Sequence, residues 1–296
     1  MKNFNFILAI ILPYILTSCD IFPEDCGAKG YMKATLSENG MFPSAPEALQ
    51  VRYYDIYSGE EYTEKMGEPD YFTADGTFLS KISVGEYRYL AYSRFNNKVR
   101  NTEDISTITI YSDTVNSNKY ATTVIANKQE LVCMASDRIA IFPEDTTACA
   151  FRLTAMVQKI VFNVTLEGLS KDHSLTSLEA MLSGVITGRM IYTNQPISEY
   201  AGLIFNFTQT DISNKFTSEA YVFGVSNAVP NKLKFECVGE SFHQYSTVDL
   251  SSVLKDFTSS GMVIDLVINI GEDMAMNDIY IEGWEDVSQD NIEFGK

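Results

Sequence analysis

Residues that could carry catalysis are few and scattered in this sequence. The two histidines, His173 and His243, lie far apart, each in a polar stretch. Ser252 and Lys255 have the S-x-x-K spacing of acylating serine enzymes, but the S-D-N and K-T-G elements that those enzymes also need are absent. Signatures of nucleotide binding and of the hydrolase nucleophile elbow are absent as well. The sequence therefore predicts no catalytic centre, no metal site and no cofactor.

The position of Cys19 indicates a different chemistry, acylation of a thiol. The cysteine follows Leu16-Thr17-Ser18, which resembles the lipobox of bacterial lipoproteins. The apolar stretch 4–16 before it is too short, and too broken by Pro13, to span a bilayer as a stable helix. We expect residues 1–18 to be a lipoprotein signal peptide and Cys19 to carry the lipid at the outer membrane. A plain secretory signal with a chance cysteine is the alternative.

The other cysteines could form disulfides after export. Once Cys19 is set aside, Cys26, Cys133, Cys149 and Cys237 remain, and four cysteines allow three pairings. No C-x-x-C pair occurs, so zinc-ribbon and thioredoxin-like chemistry have no support. Cys133 and Cys149 flank the predicted domain junction, and an oxidising compartment favours a disulfide between them.

The formal net charge of −17 restricts the possible partners. Nucleic-acid binding needs a basic face, so this class is excluded. Peripheral attachment to anionic lipid is disfavoured for the same reason, so membrane attachment must come from acyl chains.

Apolar and polar residues alternate along most of the chain, which predicts strands. Ser251–Phe257 and Leu175–Met181 are the segments with a helical pattern. The predicted strands are Tyr31–Leu36, Leu49–Tyr57, Phe78–Ile82, Glu86–Phe95, Ile105–Tyr111, Arg138–Phe142, Lys159–Leu166, Leu203–Thr208, Ala220–Phe223, Lys232–Cys237, Met262–Ile270 and Ile279–Glu282. Many short strands with almost no helix indicate an all-β protein of sandwich or barrel type.

A polar break at residues 143–147 divides the strands into two blocks of domain size. We predict a tether over 19–30, an N-terminal β-sandwich domain over 31–146 and a C-terminal β-sandwich domain over 147–296.

Four tyrosines early in the chain could stack against sugar rings, although packing within a sheet is the more common role of such residues. They are Tyr53, Tyr54, Tyr57 and Tyr62.

Several short motifs, in this order, resemble the fimbrillin-type surface lipoproteins of Bacteroidales, in particular a branch related to fimbrial anchor and minor pilin subunits. They are Cys19 with Cys26, Pro46–Val51, Val84–Tyr87, Arg152–Leu166, Leu182–Gly184 and Gly283–Val287. Thr114 and Thr146, each after an aspartate, also resemble O-glycosylation acceptors of exported Bacteroidales proteins.

The resemblance implies two tandem transthyretin-like β-sandwich domains, with very little helix, in a lipid-anchored protein of the cell surface. It implies a non-catalytic fimbrial subunit, anchor-like or minor, or an adhesin, whose partners are host ligands or other pilin-type subunits joined by β-strand addition. Stalk pilins of the group are cut after an arginine in a longer leader, whereas no arginine precedes Arg52 here, so lasting lipid attachment fits better.

The alternative is a glycan-binding lipoprotein of a polysaccharide-uptake system. A strand-accepting groove would favour the first function and a line of exposed aromatics the second.

The C-terminal segment Asp286–Lys296 ends in a short alternating stretch. Such a strand can close its own sandwich or pair with another subunit. We expect self-closure, because an intramolecular partner has the higher effective concentration.

Overall fold

The computed structural model describes residues 28–36, 49–62, 71–72, 77–93, 97–127, 132–168, 175–240, 242–255, 257, 261–271 and 276–287. Within these ranges the chain is almost entirely β-strand, and the one helix, α1 (Ser251–Leu254), has four residues. The predicted all-β class with very little helix is therefore confirmed. No helix in these ranges is long and apolar enough to cross a membrane.

Strand formation follows the alternation of apolar and polar residues, which places every second side chain on the buried face. The strands of the first half are β1 (Lys29–Leu36), β2 (Leu49–Asp55), β3 (Tyr71–Phe72), β4 (Phe78–Ser83), β5 (Gly85–Ser93), β6 (Lys98–Arg100), β7 (Thr109–Tyr111), β8 (Thr114–Ser117), β9 (Thr122–Ile125), β10 (Cys133–Ile141), β11 (Thr146–Phe151) and β12 (Thr154–Ala155).

The strands of the second half are longer on average. They are β13 (Gln158–Glu167), β14 (Leu175–Ile186), β15 (Gly188–Met190), β16 (Gln195–Pro196), β17 (Tyr200–Asn206), β18 (Thr208–Gln209), β19 (Lys215–Val222), β20 (Lys232–Gly239), β21 (His243–Asp249), β22 (Gly261–Ile270) and β23 (Met276–Val287).

The described strands form five sheets. The first sheet has the order β11-β1-β4-β3 and the second sheet β12-β10-β5-β2. The five-stranded sheet has the order β18-β19-β13-β22-β23, and the six-stranded sheet β21-β20-β14-β17-β9-β8. A small sheet has the order β16-β15-β7-β6. Three pairs, β1 with β11, β13 with β22 and β9 with β17, are parallel.

The first and second sheets share one hydrophobic core. Met32 and Phe151 from the first sheet pack in one buried cluster with Tyr53 and Tyr89 from the second. The ring centroids of Tyr89 and Phe151 are 5.2 Å apart, within the range of favourable aromatic pairs. The inward faces of two sheets thus enclose one core, which is the arrangement of a β-sandwich.

The five- and six-stranded sheets form a second sandwich. Phe162 and Ile264 of the five-stranded sheet and Phe205 and Phe235 of the six-stranded sheet belong to one cluster. The rings of Phe162 and Phe205 stack with centroids 5.0 Å apart.

A third cluster joins the two blocks of the chain. It brings Tyr54, Tyr92 and Ile108 together with Met156 and Phe223, and all five are buried. The small sheet makes the same connection through the backbone, because β7 pairs with β15. Strands β8 and β9 likewise belong to the six-stranded sheet. The boundary between residues 146 and 147 stays a prediction, and the blocks on either side of it are connected by pairing and by burial.

Two segments differ from the expected elements. Leu175–Met181 is not helical but forms the first part of β14, whose neighbours β17 and β20 satisfy its backbone groups on both sides. In Ile105–Tyr111 only Thr109–Tyr111 is a strand. The preceding residues turn, and the amides of Thr107 and Ile108 both donate to the Asp104 carbonyl. Isoleucines that are buried next to a turn therefore gave the same alternation of apolar and polar residues as a strand.

Candidate interaction sites

The predicted lipid-attachment residue lies outside the described residues, and so do Cys26, His173 and the terminal segment 288–296. Lipidation of Cys19 and the role of the terminal strand therefore remain predictions.

The predicted disulfide between Cys133 and Cys149 is not formed in the structure, where both are free thiols. Cys133 lies in the second sheet with its Sγ 3.4 Å from the Ser93 hydroxyl, whereas Cys149 lies in β11 of the first sheet. Burial raises the pKa of each thiol to about 11, so both are protonated at neutral pH. Cys237 is fully buried in the second core, as its apolar surroundings in the sequence predicted.

Both predicted glycosylation threonines are exposed. Thr114 begins β8 and Thr146 begins β11, and each of these strands lies at the edge of its sheet. An exposed hydroxyl on an edge strand is accessible to a modifying enzyme. Modification itself stays a prediction.

Of the four early tyrosines, only Tyr57 is exposed, at 87 %. Tyr53 and Tyr54 are buried, and Tyr62 is half-buried with its ring 5.1 Å from that of Tyr87. The four residues therefore do not form a stacking surface, and the packing interpretation holds for three of them.

A group of linked polar side chains lies on the outer face of the six-stranded sheet, and we call it the Glu236 cluster. Glu179, Glu236 and Tyr245 face one another across β14, β20 and β21. Like charges in directly opposed positions destabilise a sheet. Here Lys119, from the turn between β8 and β9, forms ion pairs with both carboxylates. The members of the cluster are Lys119, Tyr120, Glu179, Glu236, His243 and Tyr245.

Hydrogen bonds hold the cluster in one geometry. The hydroxyl of Tyr120 donates to Glu179 Oε1 at 2.6 Å, and that of Tyr245 donates to Glu236 Oε1 at 2.8 Å. His243 Nε2 lies 2.7 Å from the same Glu236 oxygen. Burial acts to raise the pKa of Glu236, but hydrogen bonds from Lys119, His243 and Tyr245 outweigh it and lower the pKa to about 2. The cluster therefore fixes the β8–β9 hairpin on the sheet.

This low pKa predicts an acid-sensitive contribution to stability. A carboxyl whose pKa is lower in the folded than in the unfolded protein stabilises the fold above the unfolded pKa, and this stabilisation disappears as pH falls through the folded pKa. We expect Glu236→Gln to be less stable than the native protein at pH 7. The difference in free energy of unfolding should shrink between about pH 4.5 and pH 2. Urea unfolding at a series of pH values measures it.

Glu86→Gln, at an exposed strand position, is the matched control and should show no comparable difference at any pH. If Glu236→Gln lowered the free energy of unfolding by the same amount at pH 2 and at pH 7, the ionised carboxylate would not be the source of the stabilisation.

A groove of about 470 Å³ lies next to the Glu236 cluster on the same outer face. Residues of β9, β14, β17 and β20 line it, together with Val229 and Pro230. Met181 and Lys234 are each two residues from a member of the cluster and point to the same side of the sheet. No group of three or more potential metal ligands occurs in the described part of the chain.

The edge strand β23 is the second candidate site. Ile279 and Ile281 pack against the second core, whereas Tyr280 is 41 % and Trp284 58 % exposed. The register places Trp284 opposite the buried Ile264, so its side chain lies on the core-facing side of the sheet, at its edge. The neighbouring edge strand of the six-stranded sheet, β21, contacts β23 there. Sequence reasoning placed a strand here but made it too short.

The comparisons with known proteins give structural matches alone. No protein-family model and no curated protein matches the chain. A "putative adhesin" from Bacteroides ovatus aligns over 85 % of this chain and 93 % of its own, with 16 % identity and a TM-score of 0.57. "Putative polysaccharide binding proteins" from Bacteroides thetaiotaomicron align over 89 % and 100 %, with 8 % identity and a TM-score of 0.50.

The fimbrial anchor protein Mfa2 from Porphyromonas gingivalis aligns over 86 % of this chain and 97 % of its own, with 12 % identity and a TM-score of 0.47. At these identities the two Bacteroides matches, whose TM-scores are 0.57 and 0.50, show a shared fold. The expected resemblance to proteins of Bacteroidales is thus confirmed for the fold, over 85 % of this chain in the match to the Bacteroides ovatus protein.

Proposed function

We propose that the protein is a non-catalytic surface protein, anchored in the outer membrane by a lipid on Cys19, that acts as a fimbrial subunit or adhesin. The lipobox-like sequence supports the anchor, and the fold shared with the Bacteroides ovatus protein supports the adhesin class. The absence of catalytic motifs from the sequence is consistent with a binding role.

The observation that carries this proposal is the edge strand β23. It has twelve residues and pairs with β22 on one side within the described residues. Long edge strands are templates for added strands, and charged residues, proline or bulges usually protect them. β23 has two bulges and four acidic residues, yet its exposed Trp284 offers a large apolar contact at the edge of the sheet. A partner strand added here would gain backbone hydrogen bonds and aromatic burial together.

The test places a charge where the partner strand would lie. We expect Trp284→Lys to lose the cross-linked species of higher mass that the native protein forms with neighbouring surface proteins, because a lysine on an edge strand opposes strand addition. Amine-reactive cross-linking on intact cells, followed by immunoblotting, measures this. Since Trp284 is largely exposed, the melting temperature should change little.

Tyr57→Lys is the matched control, because it exchanges an exposed aromatic residue in a turn far from the edge in sequence. It should leave the cross-linked species unchanged. Equal cross-linking of Trp284→Lys and the native protein, or a native protein that cross-links to nothing, would contradict assembly through β23.

Glycan binding is the second candidate function, and the groove on the six-stranded sheet favours it. Its volume lies in the range of small-ligand sites. Of the exposed aromatic side chains in the described residues, Tyr200 is the one that lines the groove, and Tyr280 and Trp284 share β23 elsewhere, so a line of stacking residues in the groove does not support this function. A glycan would therefore be recognised through hydroxyl and charged groups, with Tyr200 as a single aromatic contact.

A further inference from the structure

Two irregularities in the six-stranded sheet open the groove. The register between β14 and β17 shifts between Leu182 and Val185, which leaves Ser183 and Gly184 in a bulge. On the other side, β9 meets β17 at the single pair Gly202 and Val124. Bulges are frequent next to functional sites because they redirect side chains and end strand pairing.

The bulge is held rigidly. The buried amide of Asn231 donates to the carbonyl of Ser183 at 3.2 Å and to that of Gly184 at 3.5 Å. The hydroxyl of Ser183 donates to the Pro230 carbonyl and accepts from the Lys232 amide, each at 2.8 Å. Gly184 has a φ of +74°, a conformation that favours glycine. The groove is therefore formed before any ligand arrives, which lowers the entropic cost of binding.

The space at the floor of the groove exists because residue 202 is a glycine and has no side chain. A Cβ at Gly202 would lie 2.6 Å from Met181 Sδ and 3.2 Å from a methyl group of Val124. Any larger residue at this position would occupy the space above Met181. Met181 makes the floor apolar, whereas the Ala201 side chain packs into the second core on the other face of the sheet, and Thr122 and Thr123 form an exposed hydroxyl-bearing rim.

The charge of the groove is opposite to that of the protein. Its charged lining residues are two lysines, Lys232 and Lys234, in a chain of net charge −17. Lys232 stands opposite Asp249 across the ladder, and the charge of Lys232 contributes to the lowered pKa of that carboxyl. Lys234 stands opposite Thr247 and is half-buried, and among the described residues no carboxylate forms an ion pair with it. A lysine ammonium group in a groove, without a carboxylate partner, favours an anionic ligand.

We propose that this groove binds an acidic sugar of an oligosaccharide, with Lys234 contacting the carboxylate or sulfate group; the proposal rests on the second candidate function, glycan binding. The volume accommodates a unit of one or two sugar rings. An acidic peptide fits less well. The backbone of β14 beneath the groove is paired on both sides, with Leu182 opposite both Leu203 and Leu233, so a peptide could not add there as a strand.

The test measures binding of the full-length protein in detergent to polygalacturonate, chondroitin sulfate and neutral dextran by affinity electrophoresis. We expect retardation by one or both acidic polymers, weakened by added salt, and none by dextran. Lys234→Gln should weaken the binding about tenfold, as loss of one charge-assisted hydrogen bond predicts. Gly202→Leu should abolish it by filling the floor.

Lys33→Gln, on β1 of the first sheet, removes a charge from an exposed position and should leave the affinity unchanged. Circular dichroism of each variant identifies any that fail to fold. If dextran retarded the protein as much as the acidic polymers do, and Lys234→Gln had no effect, the ligand would not be an acidic sugar. Glycan binding itself would still be supported. If none of the three polymers retarded the protein, both the acidic-sugar proposal and glycan binding would be contradicted. If an acidic peptide displaced the polymer from the site that depends on Lys234, the ligand would be a peptide and not a sugar.

Discussion

Replacing Cys19 with alanine should remove the protein from the membrane fraction. If the thiol carries the acyl chains, its loss removes the lipid and leaves an acidic protein of net charge −17 with little affinity for anionic headgroups. The precursor should also keep residues 1–18, because processing of lipoproteins requires the acylated cysteine. Fractionation of cells, together with the intact mass of the protein, measures both effects. We expect nearly all of the protein to leave the membrane fraction and to keep residues 1–18.

Cys26→Ala is the matched control, since it removes a nearby cysteine outside the lipobox-like sequence. It should stay in the membrane fraction with a normal mass. Membrane partition of Cys19→Ala equal to that of the native protein would contradict lipidation at this residue.

The second large effect should come from Ile108→Ala in the cluster that joins the two blocks. Ile108 is fully buried beside Tyr54 and Phe223, and its carbonyl accepts a hydrogen bond from the Ile191 amide at 2.9 Å. Truncation of a buried isoleucine to alanine costs about 2–5 kcal/mol. For a chain of this size that corresponds to a fall in melting temperature of about 5–15 °C.

Ile212→Ala makes the same chemical change at a position that is 53 % exposed and should move the melting temperature by no more than about 2 °C, as surface substitutions usually do. Calorimetry measures both variants. If the two variants lowered the melting temperature equally, the third cluster would contribute no stability, and the two blocks would be held together mainly by their backbone connections.

The parts of the fold that could be predicted are those in which burial alternates along a strand with one solvated face. The segment 159–166 has this pattern, and β13 extends one residue beyond it at each end. β14 could not be recognised, because its central residues from Ala180 to Leu182 are all buried and the period of two is lost. A run of buried residues does not distinguish a strand from a helix without knowledge of the neighbouring strands.

The candidate sites were less accessible to sequence reasoning. Lys119 and Glu236 are more than a hundred positions apart in the chain, and their contact arises because β8 and β9 join a sheet of the second block. Trp284 was noticed as part of a motif, but its place on the core-facing side of the sheet edge depends on the register with β22. Local pattern therefore predicts which residues are strands, and long-range pairing decides which side chains meet.

The parallel pairing of β1 with β11 has a mechanical consequence. Six residue pairs, from Tyr31 with Thr146 to Leu36 with Phe151, join the strand nearest the proposed anchor to the strand that leads into the second block. A pull between Cys19 and a bound partner would draw these strands apart along their length. All hydrogen bonds between them would then be loaded in shear and must fail together, so forced unfolding would be slow. The topology suits a protein that has to transmit tension from its surroundings to a membrane.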